Sequence, residues 1–309
     1  MTQVSRRSNA EQASDGADLS GKNALVTGAN TGLGQETARV LALRGAHVTM
    51  ACRNRTKALA AKQEIVDSAE GKISEAQLDF LELDLNSLAA VRKSAGEFKE
   101  RQRPLHLLIN NAGIMIPMER RTDDGFEAHM GINHLGHFLF TNLLLDSLLL
   151  AKGARVVVVS SSAMGMATLT PQLLDLNWES RKFNGFRSYG DSKLMNLMFS
   201  NELNKRYAGE GIVANALHPG VIATELARDQ SIPFMLLGIF MVPFMKTVSR
   251  GAATTVYVAT SPDYERRGGL FFSDCREKKV LQKLAQDEDA CAALWQRSCQ
   301  MTGIADNRS

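Results

Sequence analysis

Nothing in this 309-residue sequence is paired, repeated or extreme. Its four cysteines, Cys52, Cys275, Cys291 and Cys299, form no CxxC pair and no zinc-ligand spacing. In a chain with no secretory leader, free thiols are expected rather than two disulfides. The first eighteen residues carry Arg6 and Arg7 and lack the roughly 7–15 apolar residues of a signal peptide. They read as a disordered polar leader. An excess of either charge is missing too: the net charge is +3, which gives no case for a nucleic-acid partner. No charge-free stretch reaches the ~20 apolar residues of a membrane helix. The nearest, 230–245, reads QSIPFMLLGIFMVPFM and is interrupted by Pro233 and Pro243, so a buried or interfacial segment is expected there. With 44% hydrophobic and 22% charged residues, the composition is that of a globular protein, which excludes a disordered tail protein, a collagen and a mucin-like stalk.

Short apolar runs alternate with longer helical patterns. The runs are Ala24–Thr27, His47–Ala51, Leu78–Leu83, Leu105–Ile109, Arg155–Val159, Ile212–Leu217 and Leu270–Phe272. Between them lie helical patterns at Glu36–Arg44, Lys57–Ala69, Leu88–Arg101, Asp124–Leu150 and Tyr189–Tyr207. Strands alternating with helices imply βαβ units and a mostly parallel sheet covered on both faces. RVVVV, apolar throughout after its arginine, suits a strand buried on both sides. No linker or repeat divides the chain. A single α/β domain with a seven-stranded, doubly wound sheet is expected over residues 19–275, followed by a helical tail over 276–309.

The first strand runs into Thr27-Gly28-Ala29-Asn30-Thr31-Gly32-Leu33-Gly34, a GxxxGxG turn. Glycines let the backbone turn tightly and approach a pyrophosphate, and the following helix N-terminus faces the anion. Alone, such a turn is equally a tight strand-to-helix connection. Its place between a strand and a helix favours a dinucleotide, held by Gly28, Asn30, Thr31, Gly32, Leu33 and Gly34. After the second strand, an NAD site would want an acid for the ribose 2′-hydroxyl. The stretch from Thr37 to Gln63 has no acid, but it holds Arg39, Arg44, Arg53, Arg55, Lys57 and Lys62. A positive group here suits a 2′-phosphate, so NADP(H) is favoured. Arg53 is the first candidate, assisted by Arg55 or Lys57, against the plainer reading of a solvated basic helix start. Asp84, followed by Leu85, can accept a hydrogen bond from an adenine amino group or serve as a helix cap.

Four further elements carry chemistry: Asn110-Asn111-Ala112-Gly113 after the fourth strand, Asn133 in the next helix, Ser160-Ser161-Ser162 ending the fifth strand, and Tyr189-Gly190-Asp191-Ser192-Lys193. Tyr189 and Lys193 stand at i and i+4 on one helix face. A phenol titrates near ~10 in water, and a neighbouring ammonium favours the phenolate. A serine at a strand's carboxyl end can hold a substrate oxygen. Together they form a proton-transfer apparatus beside a hydride carrier. Each motif alone has a bland reading, as a chance YxxxK or a turn. His129, His134 and His137 lie close in sequence; metal ligation would want a carboxylate or third ligand in place, and no metal is expected.

The order of these motifs, with His218-Pro219-Gly220-Val221-Ile222-Ala223-Thr224 after the sixth strand, resembles the short-chain dehydrogenase/reductase family over about Leu19 to Ser273. Within it, Ala51–Asn54, Ile132–Phe138, Phe272–Cys275 and Leu294–Cys299 look most like the retinol dehydrogenase group. The resemblance implies a Rossmann-type fold and a tetrad of Asn133, Ser161, Tyr189 and Lys193. Tyr189 would be acid in carbonyl reduction and base in alcohol oxidation. Ser161 would hold the reacting oxygen, with Ser162 the alternative. Lys193 would bind the nicotinamide ribose and lower the pKa of Tyr189, and Asn133 would keep a water in a proton relay. Asn110, Ala112, Gly113, Pro219, Gly220, Val221 and Thr224 would line the cofactor.

The family places its substrate lid after Thr224, here about 225–247. Its Met and Phe residues make an adaptable apolar surface. A hydrophobic aldehyde, ketone or alcohol is therefore the expected substrate. The same stretch is alternatively a packed helix, a contact between copies of the chain, or a dip into a membrane interface. A cytoplasmic protein, peripheral to a membrane at most and homo-oligomeric by family analogy, is expected. Two other readings share parts of the pattern. A sugar-nucleotide epimerase or dehydratase would carry GxxGxxG and a larger C-terminal domain. A non-catalytic NADP(H)-binding regulator would not need Tyr189.

Overall fold

The computed structural model describes residues 4–172, 175–222 and 245–306. The strands are β1 (Asn23–Thr27), β2 (His47–Cys52), β3 (Leu78–Glu82), β4 (Leu107–Asn110), β5 (Ala154–Val159), β6 (Ile212–His218), β7 (Phe271–Ser273) and β8 (Arg276–Glu277). They form one sheet in the order β3-β2-β1-β4-β5-β6-β7-β8. Pairing is parallel throughout except between β7 and β8. The sheet thus has eight strands where the sequence suggests seven. The extra one is a two-residue antiparallel return after the Asp274–Cys275 turn, too short to leave a period-two signal.

The helices are α1 (Ala10–Ala13), α2 (Gly32–Leu43), α3 (Arg55–Ser68), α4 (Leu88–Glu100), α5 (Gly136–Leu143), α6 (Leu145–Leu150), α7 (Gly185–Tyr207), α8 (Val248–Thr260) and α9 (Glu288–Thr302). A π-helical segment, His129–Leu135, opens α5. The period-two alternation of the strands sorts the core into two layers. Leu25, Leu108, Val156 and Val158 face α4, α5, α7 and α9, where Val91, Phe138, Phe199 and Trp295 pack. Val26, Ile109, Val157 and Val159 face α2, α3 and α8, where Leu41, Ile65 and Val258 pack. Arg155, the one polar start of its strand, reaches across to the carbonyls of Ala259 and Ser261 at the end of α8.

The leader differs from the disordered segment expected. Asn9 and Gln12 close a capping box at the start of α1, and Ala10 and Ala13 are buried. Ala10 packs with Val40, Ala252 and Val256. Small side chains let this short helix sit flat on α2 and α8, and that packing leaves no mark in a polar sequence. All four cysteines are free and buried.

Candidate active site

The order of the sheet reverses between β1 and β4, and in open α/β sheets ligands bind outside the carboxyl ends of strands at such a point. A cavity of about 640 Å3 opens there, walled by residues following β1 through β6 and by Tyr189 and Lys193 of α7.

One end of the cavity is built for an anion. Gly28 and Gly32 have φ of +67° and +55°, the left-handed region that side chains avoid. A Cβ on Gly34 would run into the Gly28 carbonyl, so the turn closes only on glycine. Thr31 is the N-cap of α2 but makes no side-chain cap bond, and the first turn of α2 has no acid. The N–H groups of that turn therefore face the cavity uncapped. Behind them, Thr27 Oγ1 accepts from the backbone N–H groups of Asn111 and Ala112, at 2.9 Å each. Asn111 Nδ2 donates to the Thr27 carbonyl at 2.8 Å, locking the NNAG segment to β1.

The six basic residues of the acid-free stretch separate by geometry. Arg39 pairs with Glu36 and Glu11, Lys62 with Glu75, and Arg44 donates to Ser14 and the Glu11 carbonyl. Arg55 lies over the Phe80 ring. Only Arg53 and Lys57 line the cavity, and neither makes an ion pair among the described residues. Asp84 also lines it, while its Oδ1 accepts the Asn86 N–H at 3.0 Å; the cap of α4 is Ser87. The alternatives for Asp84 thus resolve into a local turn with a carboxylate that still faces the cavity.

The other end gathers the serines, the tyrosine and the lysine. The three serines divide by role. Ser160 also borders the cavity but is buried, and its hydroxyl is spent on the Lys193 carbonyl at 2.6 Å. Ser161 lines the cavity and caps a 3-10 turn through Ala163 N–H. Ser162 is exposed, with its Oγ 3.4 Å from His218 Nε2. Burial pushes the Tyr189 phenol up to about 12, with the Ser161 hydroxyl pulling the other way. Burial also pushes the Lys193 ammonium down to about 8. Lys193 Nζ donates to the Val159 carbonyl at 3.0 Å and lies 5.6 Å from the Tyr189 ring centroid. The expected lowering of the tyrosine by the lysine is not what this geometry gives. Desolvation governs both groups and favours the neutral form of each.

Asn133 stands behind this wall rather than in it. Its Nδ2 donates to the Ile114 carbonyl and to Ser192 Oγ, at 3.0 Å each, and its Oδ1 accepts the Ile114 N–H at 2.8 Å. Both side-chain hydrogens are used, and the main-chain carbonyl accepts from His137 Nδ1 at 3.0 Å, which leaves that carbonyl's second lone pair for a water. At two expected cofactor positions the neighbouring residue lines the cavity instead. Asn110 is buried in β4 with Nδ2 on Thr141 Oγ1, and Asn111 lines the cavity instead. Val221 is 38% exposed and does not line the cavity, whereas Ile222 does. The Asn110–Asn111 difference follows from the alternation of extended chain, which one sequence cannot phase at a strand end; the Val221–Ile222 difference falls in the turn after β6, past Gly220 at φ +102°. Thr224 and most of the lid, 223–244, lie outside the described residues. The remaining assignments, Gly28, Asn30, Thr31, Gly32, Leu33, Gly34, Arg53, Leu85, Ala112, Gly113, Pro219 and Gly220, all sit on the cavity wall.

Sequence reading passed over Cys52, Asn54, Met115, Ile132 and His218, which also line the cavity. His218 preceded the PG turn in plain view, but its side chain gave no chemical cue. The three neighbouring histidines have separate structural partners. His137 Nε2 meets Thr27 Oγ1 at 2.9 Å, His134 Nε2 meets Ser298 Oγ at 2.8 Å, and His129 sits on Glu127.

A family model described as short chain dehydrogenase matches residues 22–171. Retinol dehydrogenase 12 of Mus musculus is 43% identical over 93% of this chain and 88% of its own length. WW domain-containing oxidoreductase of Danio rerio is 43% identical over 92% of this chain and 69% of its own. Among solved structures, an uncharacterised protein from Mycobacterium Paratuberculosis superposes with a TM-score of 0.74 at 37% identity, covering 94% and 97% of the two chains. A blue fluorescent protein from a metagenomic library, in complex with NADPH, superposes with a TM-score of 0.63 at 25% identity, covering 82% and 96%.

Proposed function

This chain belongs to the short-chain dehydrogenase family and is 43% identical to a retinol dehydrogenase over 93% of its length, and from that premise we propose that it is an NADP(H)-dependent oxidoreductase interconverting a carbonyl and an alcohol on a lipophilic substrate. The observation that carries the reading is one cavity with an uncapped helix N-terminus and two cations without an ion pair among the described residues at one end, and Ser161, Tyr189 and Lys193 at the other. The fit to a dinucleotide is chemical. The first turn of α2 takes the pyrophosphate, Arg53 and Lys57 take a 2′-phosphate, and the Asp84 carboxylate takes an adenine N–H.

NADPH supplies the hydride when bound. The Ser161 hydroxyl holds the carbonyl oxygen, and Tyr189, kept as a neutral phenol by its burial, gives that oxygen its proton. In the reverse direction Tyr189 takes the proton back. Lys193 lies beside the phenol and offers its remaining hydrogens to the ribose hydroxyls. Asn133 acts at one remove, fixing the 113–115 backbone against Ser192.

The substrate class rests on exposed apolar side chains in the segments that follow β4, β5 and β6, namely Met118, Met166 and Val221. The apolar sequence 230–245 follows the PG turn in the chain. Among the described residues no helix is long and apolar enough to cross a membrane. The test is NADPH oxidation by purified protein across aldehydes and ketones of graded lipophilicity. Long-chain and isoprenoid carbonyls should turn over best. Faster turnover of small polar carbonyls would sink the substrate class, and full activity in Tyr189→Phe would sink the mechanism.

A further inference from the structure

Glu127 and His129 have no part in the chemistry above, yet both side chains are fully buried, at 0% exposure, directly behind Tyr189. The Glu127 carboxylate collects three donors from one short stretch. Oε1 accepts the His129 N–H at 3.0 Å and the His129 ring Nδ1 at 2.9 Å, and Oε2 accepts the Met130 N–H at 2.9 Å. Burial works against its charge, but the His129 ring and these backbone N–H groups outweigh it and hold the carboxyl below its usual range.

The tautomer of His129 follows from its partners. Nε2 receives the backbone N–H of Ile116 at 2.9 Å, and an amide nitrogen can only donate. Nε2 therefore carries the lone pair and Nδ1 carries the hydrogen, which is aimed at the Glu127 carboxylate; Ser188 Oγ lies 3.1 Å from the same nitrogen. Turning the ring over would break both bonds at once. The imidazole is fixed from two sides by unrelated segments, and two further rings rest on it. The Tyr189 ring meets it edge-on, with centroids 5.8 Å apart and planes at 69°. Phe183 stacks on it at 6.4 Å and 2°.

We propose that Glu127 and His129 form a positioning pair that sets the Tyr189 phenol for proton transfer. One carboxylate and one ring tie together the loop after NNAG, the start of the helix that carries Asn133, and the turn of α7 that carries Tyr189. Proton transfer needs the phenol within hydrogen-bond reach of the substrate oxygen, and misplacing a reacting group by ~1 Å costs ~100-fold in rate. A ring that cannot turn is the wall such a phenol needs. The proposal rests on Tyr189 being the proton donor of the reaction above.

The experiment compares kcat, with a carbonyl that the wild type reduces, and the NADPH dissociation constant for His129→Gln, Glu127→Gln and Tyr189→Phe. His129→Gln removes the ring but keeps an acceptor in reach of Ile116. Glu127→Gln keeps every ring but sets an NH2 group against a donor. Both should lower kcat by at least ~10-fold, with NADPH binding within about 2-fold of wild type. A folded variant whose kcat stays within about 2-fold of wild type overturns the proposal, as does a kcat loss matched by an equal loss of NADPH affinity. Tyr189→Phe separates the two levels. If it keeps turnover, the mechanism itself fails; if it loses turnover while His129→Gln does not, the positioning role alone fails. Should both variants fail to fold, long-range 15N–1H correlation on the wild type decides: His129 protonated at Nδ1 alone supports the pair, and a hydrogen on Nε2 overturns it.

Discussion

The Lys193 ammonium and the Tyr189 ring share one face of α7, 5.6 Å from Nζ to centroid, and burial moves the two groups in opposite directions. The phenol rises to about 12 and the ammonium falls to about 8. A lysine whose folded value lies below its unfolded one weakens the fold while it is charged. Its penalty is full below pH 8, where both states hold the proton. It fades as pH rises from 8 towards 10.5, where the folded state has already released it.

Lys193→Met should therefore stabilise the empty enzyme at pH 7 while abolishing turnover. The drop from 10.5 to about 8 corresponds to about 3 kcal/mol, offset in part by the lost bond to the Val159 carbonyl. A net gain of ~1–3 kcal/mol raises Tm by several degrees. Thermal unfolding at pH 7 and pH 10 checks it. The gain should shrink at the higher pH, and a gain that grew with pH would reverse the sign of the argument.

At the other end of the cavity, Arg53 and Lys57 are the two cations left without an anion among the described residues. Arg53→Asp should weaken NADPH binding by about 100-fold, the ~2–3 kcal/mol of a charge-assisted pair plus a new repulsion. NADH binding should change by no more than a few fold. Fluorescence titration of both cofactors reads the ratio. An unchanged ratio would remove Arg53 from the 2′-phosphate position and leave Lys57→Ala as the next variant to measure.

The uneven legibility of the sequence has physical causes. The sheet was readable because Val156–Val159 and its neighbours are apolar without interruption, as strands covered on both faces must be. The glycine turn was readable because Gly34 has no substitute against the Gly28 carbonyl. Composition placed six cations near the 2′-phosphate position, but only coordinates could show that Arg39 is held by Glu11 and Glu36. Asn110 and Asn111 are chemically identical, and the phase of the strand end alone decides which one faces the cavity. The Glu127–His129 pair was illegible because its meaning lies in Ile116 and Tyr189, one loop and one helix away.

Acid should unfold this protein through its histidines. Burial lowers His134 to about 3 and His137 to about 4, and burial with Lys246 lowers His218 to about 4. Each is neutral in the folded state and titrates near ~6.5 once unfolded. The stability they contribute is full above that value and is lost as pH falls below it, because the unfolded chain binds protons that the native state refuses. Near pH 5.5, unfolding should take up close to three protons from these groups. The slope of unfolding free energy against pH measures that number. His134→Leu should flatten the slope by about one proton, and an unaltered slope would mean that His134 is already charged in the fold.

The N-terminal residues offer a stability test that leaves the site alone. Glu11 ties α1 to Arg39 at 2.7 Å, and its carbonyl receives Arg44 at 2.7 Å. Ala10 and Ala13 are buried on the α2 and α8 side, where Val40, Ala252 and Val256 would otherwise meet water. Burying these small apolar side chains and the surface they cover contributes on the order of 2 kcal/mol. The exposed ion pair adds little. Removing the first eighteen residues should thus lower Tm by about 4 °C. NADPH affinity should stay within about 2-fold, because the bonds from α1 to α2 fall on Arg39 and Arg44, past the first turn that faces the cavity. An unchanged Tm would mean that α1 rests on the domain without stabilising it. A loss of NADPH binding would show that α1 also holds α2 in register for the pyrophosphate.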